Sequence, residues 1–129
     1  MFTLDQIGAA HSKVKSGADF PAYIRDLKKL GVIHYQTFVV DGHTDYYGAS
    51  DYRETSPAKY SDLVVAAQCE AEQFKAALKE HQQGKTDYPT FIRSCAECGI
   101  ENWIVDLAKM TCTYHDKSGN EVLVEAIPQ

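Results

Sequence analysis

Asp87-Tyr88-Pro89-Thr90-Phe91-Ile92-Arg93 restates Asp19-Phe20-Pro21-Ala22-Tyr23-Ile24-Arg25, which lies 68 positions earlier (87 − 19). The correspondence runs on without a gap. Leu27 answers to Cys95, Leu30 to Cys98, Gly31-Val32 to Gly99-Ile100, Tyr35 to Trp103 and Tyr46 to Tyr114. In both stretches the aspartate stands where a helix N-cap belongs, placed to accept the backbone N–H of Ala22 or Thr90. Proline follows in the first turn, where its missing N–H costs no bond within the helix. Glycine at 31 and 99 supplies the left-handed residue that ends it. Each stretch therefore predicts a capped helix of about three turns feeding an extended segment, and together they predict an internal duplication.

Outward from these helices the period of the apolar residues sets the other elements. Thr3-Leu4-Asp5-Gln6 has the form of a capping box. Leu4, Ile7, His11 and Val14 recur behind it at helical spacing, and Ser16-Gly17 marks the expected stop. From Val32 the period becomes two. Residues 32–40 and 43–48 predict strands joined by Asp41-Gly42, a two-residue hairpin signal that sets Val40 opposite His43 and Gln36 opposite Tyr47. Tyr35, Thr37, Val39, Thr44 and Tyr46 then share one face, the one expected to meet the helices. His34, Gln36, Phe38, Val40, His43, Asp45 and Tyr47 share the other. The second copy sets Trp103, Val105, Leu107, Cys112 and Tyr114 on the inner face. A short third strand is expected around residues 52–55. Ser56-Pro57 predicts the start of a long third helix carrying Tyr60, Val64, Ala67, Ala71, Phe74 and Leu78, ending near Gly84. A fourth helix from Asp87, strands at 102–107 and 111–115, the turn Asp116-Lys117-Ser118-Gly119 and a last strand at 121–127 complete the pattern.

The fold class that follows is α+β. It is an internally duplicated helix-helix-strand-strand(-strand) unit whose antiparallel sheet carries its helices on one face. One domain spans residues 1–129, with one repeat over about 1–56 and the other over about 57–129.

Composition narrows the partners. The chain is 44% hydrophobic and 24% charged, as globular proteins are. Thirteen basic against eighteen acidic residues leave a net charge of −5. With no basic run longer than Lys28-Lys29, this argues against nucleic acid and against an anionic membrane. Met1-Phe2-Thr3-Leu4-Asp5 lacks the form of a signal peptide, and no apolar stretch approaches membrane-spanning length. Four cysteines in such a chain read as reduced thiols, so the expected location is the cytoplasm.

Phe2-Thr3-Leu4-Asp5-Gln6-Ile7, Asp19-Phe20-Pro21-Ala22-Tyr23-Ile24, His43-Thr44-Asp45-Tyr46-Tyr47-Gly48, Trp103-Ile104-Val105-Asp106-Leu107 and Met110-Thr111-Cys112-Thr113-Tyr114 resemble a family of small bacterial proteins. That family is a domain of unknown function whose members sometimes carry the transferred label "phage envelope protein". The resemblance covers the full length and implies no activity, cofactor or catalytic residue.

Four groups of residues invite chemistry. Cys95-x-x-Cys98 has the spacing of a redox pair, but such pairs work at a helix N-terminus, where the dipole favours thiolate. Here the pair falls in the last turn, opposite Leu27 and Leu30, so it reads as core, and no second pair supports a metal. His34, His43, Asp45 and Tyr47 share the outer hairpin face. His43 and Asp45, two apart on a strand, project together as an imidazole beside a carboxylate; polar residues on the open face of an antiparallel sheet are equally ordinary. Tyr35, Tyr46, Trp103 and Tyr114 either line a pocket between the halves or form the core. Tyr46, Tyr47, Tyr52, Arg53 and Tyr60 are rich in the types that anchor interfaces. No catalytic residue, metal site or cofactor is assigned. Three functions stay open: a ligand-binding or sensing protein, an interaction module (a homodimer or a phage- or plasmid-derived modulator of a host protein), and a small enzyme using His43 and Asp45 with Tyr47 or Arg53. The partners left open are a small-molecule ligand and a second copy of the chain.

Overall fold

Helix formation begins where the caps are. A computed structural model of the chain describes residues 2–14 and 19–127. Helix α1 (Leu4–His11) opens with the full capping box: Gln6 N–H donates to the Thr3 hydroxyl at 3.2 Å, and Thr3 N–H to the Gln6 side-chain oxygen at 2.9 Å. Its expected stop at Ser16-Gly17 lies outside the described residues. Helices α2 (Phe20–Leu30) and α4 (Tyr88–Glu97) carry proline in the first turn as expected. The Asp87 carboxylate accepts the Thr90 N–H at 2.9 Å. Asp19 departs from its counterpart. Its own backbone is already helical, with φ −87° and ψ −8°, so its side chain makes no capping bond to the helix. Gly31 and Gly99 follow α2 and α4 in the left-handed conformation, at φ +104° and +81°.

Among the described residues six strands form one sheet: β1 (Val32–Phe38), β2 (Thr44–Gly48), β3 (Arg53–Thr55), β4 (Ile100–Asp106), β5 (Thr111–Asp116) and β6 (Glu121–Ala126). Their order is β3-β2-β1-β4-β5-β6 and every neighbouring pair is antiparallel. Each half of the chain thus contributes two helices and three strands, and β1 and β4 meet at the centre. There Gln36 lies opposite Ile104, residues 68 positions apart in sequence (104 − 36).

The inner face is as the alternation predicts. Tyr35, Thr37, Val39, Thr44, Tyr46, Val105, Leu107, Cys112 and Tyr114 are all buried, together with Tyr23, Ile24 and Leu27 of α2 and Phe91, Ile92 and Cys95 of α4. Ile7 of α1 joins the same core, as do Phe74 and Leu78 of α3 (Ala71–Gln82). All four helices therefore cover one face, and the α+β class holds.

Two expectations are corrected. The hairpin register is shifted by two residues: Gln36 pairs with Asp45 rather than Tyr47, and Phe38 N–H donates to His43 O at 3.0 Å. The connection is a four-residue loop, 39–42, because Val39 is fully buried and its carbonyl receives the Tyr60 hydroxyl at 2.6 Å. An even shift leaves the side chains that stay in the strands on their expected faces, while Val40 passes into the loop. The third helix begins at Ala71, not at Ser56. Residues 56–70 are irregular, and their N–H groups find partners elsewhere in the chain. Lys59 donates to Asp41 O, Leu63 to Val40 O, Ala66 to Ala96 O and Glu70 to Cys98 O. Leu63 is half-buried, Val64 is 90% exposed and Val65 is buried, the alternation of extended chain rather than of a helix.

This strap presses on α4 at Gly99. A Cβ there would lie 2.6 Å from the Gln68 carbonyl oxygen on a left-handed backbone, whereas Gly84, at φ +77°, has open space around it. Gly99→Ala is expected to cost about 2–3 kcal/mol and Gly84→Ala about 1 kcal/mol, since only the first adds a clash to the backbone strain. Urea unfolding of the two variants measures the difference.

Candidate functional site

Because the helices crowd one face, the chemistry of the sheet gathers on the other. Three rows cross it. Arg53, Tyr47, His34, Asp106 and Thr111 form one, and Thr55, Asp45, Gln36, Ile104, Thr113 and Val124 the next. His43, Phe38, Asn102 and His115 form the third. Most of these side chains are half-buried by one another, while Arg53, Thr55 and Val124 at the two edges are exposed.

The rings on this face pack in pairs across neighbouring strands. His34 stacks on Tyr47 with centroids 4.4 Å apart and planes 16° from parallel; His43 stacks on Phe38 at 4.4 Å and 10°. With each ring face against its neighbour, ring edges are what the surface presents: imidazole nitrogens, the phenol hydroxyl and the Phe38 rim. Asp45 accepts the Thr55 hydroxyl at 2.7 Å, and His115 Nδ1 lies 3.2 Å from Asn102 Oδ1.

The carboxylate partner of His43 is Asp41, not Asp45. Asp41 Oδ1 accepts the His43 backbone N–H at 3.0 Å and lies 2.5 Å from His43 Nδ1. The first of these bonds closes an Asx turn, which is how an aspartate entering a hairpin loop ordinarily satisfies its own backbone. With Nδ1 beside the carboxylate, Nε2 has no hydrogen-bond partner among the described residues and is open to a polar ligand. Asp41 reads in the sequence as a turn former alone. The two-residue shift of the hairpin is what turned it into the partner of an imidazole.

The other candidates separate. Tyr35, Tyr46 and Tyr114 are core residues, and Trp103 is half-buried at its margin. Tyr35 packs on Tyr46 at 5.5 Å, Tyr114 on Phe74 at 4.9 Å, and Trp103 on Tyr114 at 6.0 Å and Phe91 at 6.3 Å. Burial pushes the Tyr35 and Tyr114 phenols well above their usual range, so both stay neutral. The set is therefore core. Tyr52 and Tyr60 are spent within the chain, donating to the carbonyls of Phe2 and Val39, both at 2.6 Å. Of the tyrosine-rich segment only Tyr47 and Arg53, paired across β2 and β3, face outward from the sheet.

Cys95, Cys98 and Cys112 are buried and all four thiols are free. Burial pushes the Cys112 thiol up to about 12 and Cys95 higher still, so neither is a nucleophile at neutral pH. Among the described residues no group of three or more His, Cys, Asp or Glu is placed to hold a metal ion, and no helix is long and apolar enough to cross a membrane.

A family model described as "Protein of unknown function (DUF1398)" matches residues 8–126. The chain belongs to this family. Its description names no activity and no phage or envelope role. No protein of curated function matches the chain. The open sheet face is thus read on its own geometry.

Among the described residues three carboxyls are held below their ordinary value of 3.8. Asp41 is lowered first by the His43 backbone N–H, Asp87 by Thr90 and Asp116 by the Asn120 N–H. A depressed folded-state value gives stability that is fully present above the unfolded value and is lost as pH falls through the folded one. Stability is expected to hold down to about pH 5 and to decline below it, and Asp41→Asn to decline less steeply. Urea midpoints between pH 6 and pH 3 read this out.

Proposed function

We propose that the protein is a small interaction module that binds a folded polypeptide through the uncovered face of its sheet. The observation that carries this is the one-sided placement of the helices. It leaves His34, His43, Asp45, Tyr47, Arg53, Gln36, Phe38 and His115 on one face, where His34 stacks on Tyr47 and His43 on Phe38. Recognition by a rigid array of this kind loses little side-chain entropy on binding. The occupant assigned is a second copy of the chain. Strands about 4.8 Å apart and three to seven residues long give the face about 540 Å² before its loops are counted, short of the roughly 800 Å² per partner of a standard interface unless the loops join it. Ile104 near the centre and Val124, 52% exposed, supply its apolar contacts. The reading takes the two halves as copies of one unit, supported by their common order and by the pairing of Gln36 with Ile104. It places the protein in a bacterial cytoplasm, where four unpaired thiols are at home.

Light scattering on the eluting protein tests self-association. The wild type is expected at twice the chain mass of 14.4 kDa and Ile104→Asp at the chain mass, with unchanged circular dichroism. A wild type that elutes as a monomer at high micromolar concentration overturns the reading.

One observation favours a small ligand instead. A recess of about 370 Å³ is lined by Ile24, Arg25, Lys28, Lys29 and Met110, an apolar floor under a basic rim. Such a rim suits a small anion with an apolar body. An aromatic carboxylate or phosphate at about a hundredfold above its Kd is expected to raise Tm by roughly 5–10 °C, and Lys28→Glu to abolish the shift. Thermal-shift titration decides this.

A further inference from the structure

The strap of residues 56–70 ends beside the C-terminus of α4, and each side of that contact carries a cysteine. Ala66 N–H donates to Ala96 O at 2.9 Å and Glu70 N–H to Cys98 O at 2.8 Å. At Gly99, next to Cys98, the Cys69 Cα comes within 3.0 Å of where a side chain would begin. The bond lengths on either side of the Glu70–Cys98 hydrogen bond hold the Cα atoms of Cys69 and Cys98 to less than about 8 Å apart. A disulfide spans Cα separations up to about 7 Å. Both thiols are free, Cys69 half-buried and Cys98 buried. The strap has no helix or strand of its own to resist the small movement that remains.

We propose that Cys69 and Cys98 are a redox pair that a hydroperoxide converts to a disulfide, clamping the strap to α4. The more exposed thiol reacts first. The Cys69 thiolate attacks one peroxide oxygen, the O–O bond breaks, and hydroxide leaves to take up the thiol proton as water. Cys69 is then a sulfenic acid. The Cys98 thiolate attacks its sulfur, the S–O bond breaks, and the departing hydroxide takes up the Cys98 proton as a second water. Two thiols are oxidised and one hydrogen peroxide is reduced to two waters. Burial raises both thiols, and Glu97 raises Cys98 further, so the reaction is slow at neutral pH and quickens as pH rises. Cys95, one helical turn before Cys98, is fully buried and lies deeper in the core. The clamp matters beyond its own contact because the same strap anchors the hairpin loop at Asp41, Val40 and Val39, and with it the Asp41–His43 pair.

The experiment treats the purified protein with hydrogen peroxide at pH 7 and pH 8.5 and follows intact mass, the peptide map without reductant, and Tm. The wild type is expected to lose two hydrogens, to yield one cross-linked peptide pair joining Cys69 to Cys98, and to gain roughly 10 °C in Tm. Cys95→Ser is expected to behave the same way, and Cys69→Ser to stop both the mass loss and the Tm gain. A Cys95–Cys98 cross-link, a mass loss that persists in Cys69→Ser, or Cys69 accumulating as sulfinic acid without a bridge overturns the proposal.

Discussion

Everything in this fold hangs on the antiparallel pairing of β1 with β4. Each half supplies three strands and two helices. Joined at the centre, the halves make a six-stranded sheet wide enough for all four helices to share one apolar layer. At the join Gln36 lies across from Ile104, with neighbouring pairs running outward in opposite directions.

One-sided coverage then sorts the chemistry. The inner face carries polar atoms too, but they are closed on each other. The Thr37 and Thr44 hydroxyls bond at 2.9 Å, and among the described residues every buried side-chain polar atom has a partner. That satisfaction is what allows so many tyrosines under the helices. The outer face has no helix to satisfy it, and its rings stack on their strand neighbours instead. The same residue types are thereby inert on one side of the sheet and available on the other.

The strap links these layers. Its backbone serves the hairpin loop at one end and α4 at the other, so the position of Asp41 and His43 depends on residues 59–63, nearly twenty positions away in the chain. Gly99 permits the close approach at the far end, and its left-handed backbone serves the helix stop and the contact at once. This gives the irregular segment a structural reason: its hydrogen bonds are made to elements already built, not to itself.

What the sequence determined by itself was local. The capping box at Thr3, the Asp87 cap, the prolines, the helix stops at Gly31 and Gly99, and the alternation that divides β1 and β2 into two faces all follow from interactions spanning a few residues. The face lists survived the register shift because two residues is one full period of the pleat. The rest was decided by tertiary contacts. Asp41-Gly42 favours a two-residue turn, yet Val39 in the core and Tyr60 on its carbonyl drew the loop out to four residues. Tyr60, Val64 and Ala67 fall at helical spacing, yet the carbonyls of the hairpin loop and of α4 claimed that segment's N–H groups first. The partner of His43 changed for the same reason. Local patterns fix which side chains share a face, but which of them touch depends on register and loop length, set by groups far apart in the chain.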